Sequence, residues 1–198
     1  FINEIGFETY QKILAEAIEE LKENEFKDLY DEVEGKQEKI FVKETQIDSD
    51  FELLFPDDYI NNITERLTLY TELNQVKDEE ALQKFEAQLV DRFGELPDEA
   101  QDLLNSVRIK WIANSIGLEK IVMKQGKMIG YFISDQQSAF YQTSTFTKVL
   151  QYVQSHAQQC KIKEKQTRNG LRLLLVFDSI RSIDRAYLAL RPFESKEK

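Results

Sequence analysis

A single cysteine among 198 residues, Cys160, has no partner for an internal disulfide. A single histidine, His156, leaves no Cys/His set of the kind that holds structural zinc. No apolar run is long enough to span a bilayer, and the first twenty residues carry acidic charge throughout, unlike a secretory leader. The expectation is a soluble, cytoplasmic chain. Neither a phosphate-binding GxxxxGKS/T loop, nor GxGxxG, nor a zinc-binding HExxH occurs, so an enzyme acting by itself is not expected. Three Pro and seven Gly leave few helix and strand breakers, and those present punctuate the pattern sharply. The chain starts at Phe1 and passes at once into a helical pattern, which suggests a piece of a longer polypeptide.

What is present argues for a packed globular domain: 41% hydrophobic residues, with 13 Phe and 8 Tyr. The net charge of −10 conceals a split. Residues 1–50 hold 15 acids and 6 bases, residues 51–119 another 15 and 6, and residues 120–198 only 6 acids against 14 bases. Such asymmetry marks either a nucleic-acid surface at the basic end or complementary faces of one protein assembly. The acidic majority works against non-specific DNA binding, because its long-range field repels phosphate.

In chain order, residues 4–22 place Phe7, Tyr10, Ile13, Leu14, Ala17, Ile18 and Leu21 on one face at helical spacing. Residues 23–44 read as a charged linker. Extended chain is expected from Thr45 to Phe55, closed by Pro56. Asn61 or Asn62 then caps a helix whose buried stripe reads Ile63, Leu67, Tyr70 and Leu73. A second helix starts after Asp78, with Glu79 and Glu80 suited to the positive end of its dipole, buries Leu82, Phe85, Leu89 and Phe93, and stops at Gly94. Its opposite face carries Lys84, Ala87, Gln88 and Asp91. A third begins at Pro97, turns Ala100, Leu103, Leu104, Val107, Trp111, Ile112 and Ile116 inward, and ends at Gly117.

Beyond Gly117 the period changes to two residues, and a hairpin-plus-helix unit is expected twice. Strands at 120–124 and 127–133 flank Gln125-Gly126, followed by a helix capped by Ser144 or Thr145. Strands at 161–165 and 171–177 flank Asn169-Gly170, the stronger hairpin signal, followed by a helix capped by Asp178 or Ser179. The fold class is therefore α+β, a helical layer followed by a small antiparallel sheet from two ββα units.

Chemistry is thinly signalled. Asp57-Asp58 after Pro56 is the one adjacent carboxylate pair in a loop, with no convergent acid or histidine to make it a cation site, so a turn role is expected. His156 and Cys160 lack a third orienting group, and a helix-end histidine is the plainer reading. Lys161, Lys163 and Lys165 alternate onto one strand face and, with Arg168 and Arg172, are candidate nucleic-acid contacts. Arg181 and Arg185 extend the set, and Tyr131, Phe132 and Tyr141 are candidate stacking partners. A solvated sheet face is the bland alternative.

Three stretches carry a resemblance in order and spacing: Leu54-Phe55-Pro56-Asp57-Asp58-Tyr59-Ile60, Glu65-Arg66-Leu67 with Leu69-Tyr70, and Leu89-Val90-Asp91-Arg92-Phe93-Gly94-Glu95-Leu96-Pro97. Together they resemble the C-terminal region of the bacterial transcription-repair coupling factors. The signature covers residues 51–121, and residues 1–22 are similar to the segment that follows the helicase core there and in the related RecG. The resemblance implies two domains, residues 1–44 as the helical tail of a motor domain with linker and residues 45–198 as the TRCF domain. It implies a parent that is an ATP-dependent DNA translocase of the helicase superfamily, using ATP and magnesium and working with RNA polymerase, UvrA and duplex DNA. No cofactor is expected in this chain itself. It further implies an autoinhibitory domain that packs on a UvrB-like module of the same polypeptide through acidic positions one turn apart. Here these are Asp91 and Gln88, the latter standing where a glutamate is often found, with Lys84 on the same latch face. The alternative is a nucleic-acid-binding module using the basic C-terminal third.

Overall fold

Two-residue periodicity after Gly117 becomes a sheet in the computed structural model, which describes residues 40–167 and 170–194. The expected helix at residues 4–22, most of the linker, Arg168 and the Asn169 turn position lie outside the described residues. The strands are β1 (Gln46–Ser49), β2 (Leu118–Lys124), β3 (Lys127–Phe132), β4 (Cys160–Thr167) and β5 (Gly170–Asp178). Their order is β1-β2-β3-β5-β4. The hairpin at Gln125-Gly126 is tight: both residues have positive φ, 53° and 72°, as a two-residue turn between right-twisted strands demands. Asp50 fixes this turn by accepting from the Gln125 amide at 3.1 Å.

The α+β class holds, with one addition. β2, β3, β5 and β4 are antiparallel as expected, but β1 pairs in parallel with β2, Ile47 opposite Ile121. A parallel neighbour needs a long crossover, and three helices supply it: α1 (Ile63–Gln75), α2 (Glu79–Phe93) and α3 (Asp98–Ser115). Only Gln46–Ser49 of the expected extended stretch is paired strand; the rest is the loop leading to α1. Thr45, fully buried, anchors the start of β1, its hydroxyl 2.6 Å from both Asn114 Oδ1 and the Leu118 carbonyl.

Capping follows local chemistry, with shifts of a few residues. Asn62 accepts from the Glu65 amide and Asp78 from the Ala81 amide. Thr143, one residue before the expected pair, caps α4 (Ser144–Ser155), and Ser182 rather than Asp178 or Ser179 caps α5 (Ile183–Leu190). The latter delay arises because Ser179 takes a left-handed φ of 64° and Ile180 is buried before the helix starts.

Two apolar cores result. One joins Leu118, Ile121, Met123, Met128, Leu175 and Phe177 of the sheet to helices α3, α4 and α5. The other gathers Phe55, Ile60, Leu69, Leu73, Leu82, Phe85 and Leu89 around α1, α2 and the first half of α3. Helix α3 serves both. Ala100 and Leu104 face the helical core, whereas Ile109, Ile112, Ala113 and Ile116 face the sheet. At the junction only glycine fits at 117, since φ is 76° and a Cβ there would lie 2.3 Å from the Phe140 ring.

The expected stripe of α1 is corrected. Leu69 and Leu73 are its buried residues, while Ile63 and Leu67 are 66% and 62% exposed. Arg66, rather than Ile63 or Leu67, shares the inward face with Leu69 and Leu73. Its guanidinium donates to the Ile60 carbonyl at 2.8 Å and pairs with Asp57 at 2.5 Å, so its polar end is satisfied there.

Candidate interaction surface

Helix α2 is held by several directed contacts from its neighbours. Tyr59 reaches across to place its hydroxyl 3.3 Å from the Leu89 carbonyl and 3.1 Å from that of Gly94, and its ring meets Phe93 edge-on at 5.8 Å. Arg92 pairs with Glu65 of α1 and lies over the Phe93 ring. From α3, Arg108 forms a fork with both carboxylate oxygens of Glu79, at 2.7 and 2.9 Å, and also reaches Glu86 and Asn105. That fork holds the Glu79 carboxyl below the usual range and raises the guanidinium. Phe55 completes the core between Tyr70 and Phe85, its amide accepted by the Tyr70 hydroxyl at 2.8 Å. The motif residues thus explain themselves as packing: they fix how α1, α2 and α3 meet.

Three motif-proximal residues have no part in that packing. Lys84, Gln88 and Asp91 are exposed on the outer side of α2, one turn apart. Lys84 is engaged only locally, with Glu80 at 2.6 Å, and neither Gln88 nor Asp91 has a hydrogen-bond or ion-pair partner among the described residues. Their exposure agrees with the regular 3.6 period of α2.

The basic candidates are partly dispersed. Register puts Lys161, Lys163 and Lys165 on one face of β4, beside Val176, Leu174 and Arg172. Lys161 is committed to Asp178 at 2.7 Å, an interaction that lowers the Asp178 carboxyl. Arg172 donates to the Phe132 carbonyl at 3.1 Å, pairs with Glu119 and covers the Tyr131 ring. Arg168 lies outside the described residues. Of the three aromatic candidates, only Tyr131 shares this face. Phe132 is fully buried in the sheet core, and Tyr141 donates its hydroxyl to the Ile133 carbonyl. Phe132 points away from Tyr131 because adjacent strand residues face opposite sides.

The remaining candidates take structural positions. Asp57 is tied to Arg66 in the Pro56 turn. His156 is the C-cap of α4, stacked on Tyr152 with ring centroids 4.0 Å apart, and Cys160 is buried with its thiol pushed up by desolvation. Among the described residues, no three His, Cys, Asp or Glu side chains converge to hold a metal ion, and no helix is long and apolar enough to cross a membrane.

The described residues form an α+β domain in which a helical layer crosses over between neighbouring strands of a five-stranded mixed sheet. A family model of the TRCF domain matches residues 49–143. The chain is 32% identical over 117 residues to the transcription-repair-coupling factor of Escherichia coli K12, covering 59% of this chain and 10% of that protein. It is 28% identical over 162 residues to that of Rickettsia bellii, covering 82% and 13%, and 27% identical over 184 residues to that of Staphylococcus epidermidis, covering 88% and 15%. The chain therefore spans only a small part of the length of these relatives. A crystal structure of the C-terminal domain of transcription-repair coupling factor shares the fold, with a TM-score of 0.54 at 18% identity, covering 78% of this chain and 98% of that one. Residues 49–143 thus form a TRCF domain, of the kind found in transcription-repair coupling factors.

Proposed function

We propose that this chain is the regulatory and protein-interaction domain of a DNA-repair ATP-dependent translocase that couples transcription to excision repair. In this reading it restrains its parent by packing on a UvrB-like module of the same polypeptide, hiding the surface that recruits UvrA until RNA polymerase is engaged. ATP and magnesium act on the parent's motor domains with duplex DNA. The sequence carries no GxxxxGKS/T phosphate-cradling loop, and among the described residues no group of carboxylates converges to hold a metal ion.

The observation that supports the reading is the unpartnered Gln88 and Asp91 pair beside Lys84 on a helix whose other side is fixed by Tyr59, Arg92 and Arg108. A rigid helix with a free polar face suits a latch. Exposed pairs contribute only about 0–1 kcal/mol each, so such a contact opens when a competing partner binds. Titration of the chain with the separately expressed UvrB-like module should show binding that Asp91→Arg weakens about three- to tenfold. Equal affinity for the variant would remove Asp91 from the account.

A further inference from the structure

The sheet has a second face that the latch does not use. Strand alternation places Val122, Ile129, Tyr131, Leu174 and Val176 opposite to the side that α3, α4 and α5 cover. None of the five belongs to either apolar core. They form a continuous strip across β2, β3 and β5: Val122 opposes Ile129, Ile129 opposes Val176, and Tyr131 opposes Leu174. Leu174 and Val176 are buried, at 7% and 5% exposed, while Val122, Ile129 and Tyr131 are half-buried.

Cations border the strip on both sides. Lys120 and Lys124 stand on β2 to either side of Val122, and Lys161, Lys163 and Lys165 on β4, with Lys127 at the end of β3 and Arg172 on β5 sharing the face. Lys124 and Lys161 are balanced by Asp48 at 2.8 Å and Asp178 at 2.7 Å, whereas Lys120, Lys163 and Lys165 have no ion-pair partner among the described residues. Three strand steps separate β2 from β4, so the two rows stand about 14 Å apart. An α-helix with its side chains is about 10–12 Å across.

We propose that this trough receives an acidic amphipathic helix of a partner protein. Its apolar stripe lies on Val122, Ile129, Leu174 and Val176, and its flanking carboxylates meet Lys120 on one side and Lys163 and Lys165 on the other. The floor argues against single-stranded nucleic acid, whose bases stack on aromatic faces: the one aromatic ring of the strip, Tyr131, is already covered by Arg172. An aliphatic floor between charged rims is what an amphipathic helix requires.

The test is an NMR titration of the isotope-labelled 198-residue chain at low ionic strength with three probes: a synthetic helical peptide with leucine along one face and glutamate on the other, a peptide of the same composition in scrambled order, and a short DNA duplex. The patterned peptide should move the amides of β2, β3, β4 and β5 and bind about tenfold or more tightly than the scrambled one. The double variant Lys120→Glu/Lys163→Glu, with an unchanged melting temperature, should lose about tenfold in affinity for it. Ile129→Thr should weaken it while leaving charge intact. Equal binding of the two peptides would reduce the face to unspecific charge and overturn the proposal. So would shifts confined to α2, no binding of the patterned peptide, or duplex binding in its place.

Discussion

The two apolar cores are held by different means. The helical core depends on polar side chains that reach specific targets: Tyr59 to the end of α2, Tyr70 to the Phe55 amide, Arg66 to the Ile60 carbonyl, Arg92 to Glu65 and Arg108 to Glu79. The sheet core depends on strand register and on an aromatic cluster, in which Phe132, Phe140 and Phe146 lie 5.5–6.3 Å apart. Directed ties fix angles; apolar contact fixes volume. The angle between α1, α2 and α3 matters where a helix face must be presented at a set orientation, which is the part the helical core plays in the proposed latch.

The sharpest way to break this comparison is to ask whether the cores are separable. Because α3 belongs to both, Leu104→Ala on the helical side and Leu175→Ala on the sheet side should each cost about 2–5 kcal/mol and shift one common transition. Trp111, the single tryptophan, packs on the helical core, so its fluorescence and far-ultraviolet circular dichroism should melt together. Two separate transitions would show that α3 does not couple them.

A smaller effect tests the directed ties. Arg108→Gln should destabilise by about 1 kcal/mol at neutral pH, a figure discounted because Glu79 is half exposed. The folded Glu79 carboxyl lies below its ordinary value because Arg108 hydrogen-bonds it. The stabilisation is therefore present above the unfolded value and lost as pH falls through the folded one. Urea midpoints of wild type and variant should accordingly converge in acid. A gap that persists there would assign the contribution to the Arg108–Asn105 contact instead.

The smallest effect concerns α1. Ile63→Ser and Leu67→Ser should each change stability by no more than about 0.5 kcal/mol, because both side chains are exposed. A loss of several times that in urea titration would restore the stripe expected from periodicity.

That stripe shows where sequence reading runs out. Helices α2 and α3, the Gly94 and Gly117 stops and the β2–β3 hairpin were legible because glycine, proline and regular spacing act locally. For α1, an apolar count could not foresee that Arg66 would satisfy the Ile60 carbonyl from inside. Nor could it see β1 as a parallel partner of β2, since that pairing spans the whole helical layer. For the candidate surfaces, the outer side of α2 followed from its period. The aliphatic strip between the lysine rows did not, because it is assembled from three strands by register rather than by any one stretch of chain.

Cys160, the first residue of β4, has a further consequence. It is the chain's one thiol, buried beside the His156 carbonyl, and burial keeps it protonated. Reagents that consume thiolate can reach it only when the sheet margin parts from the end of α4. The chain thus carries an intrinsic clock: the rate of alkylation counts the openings of that margin, with no label to add and no second sulfhydryl to confuse the reading.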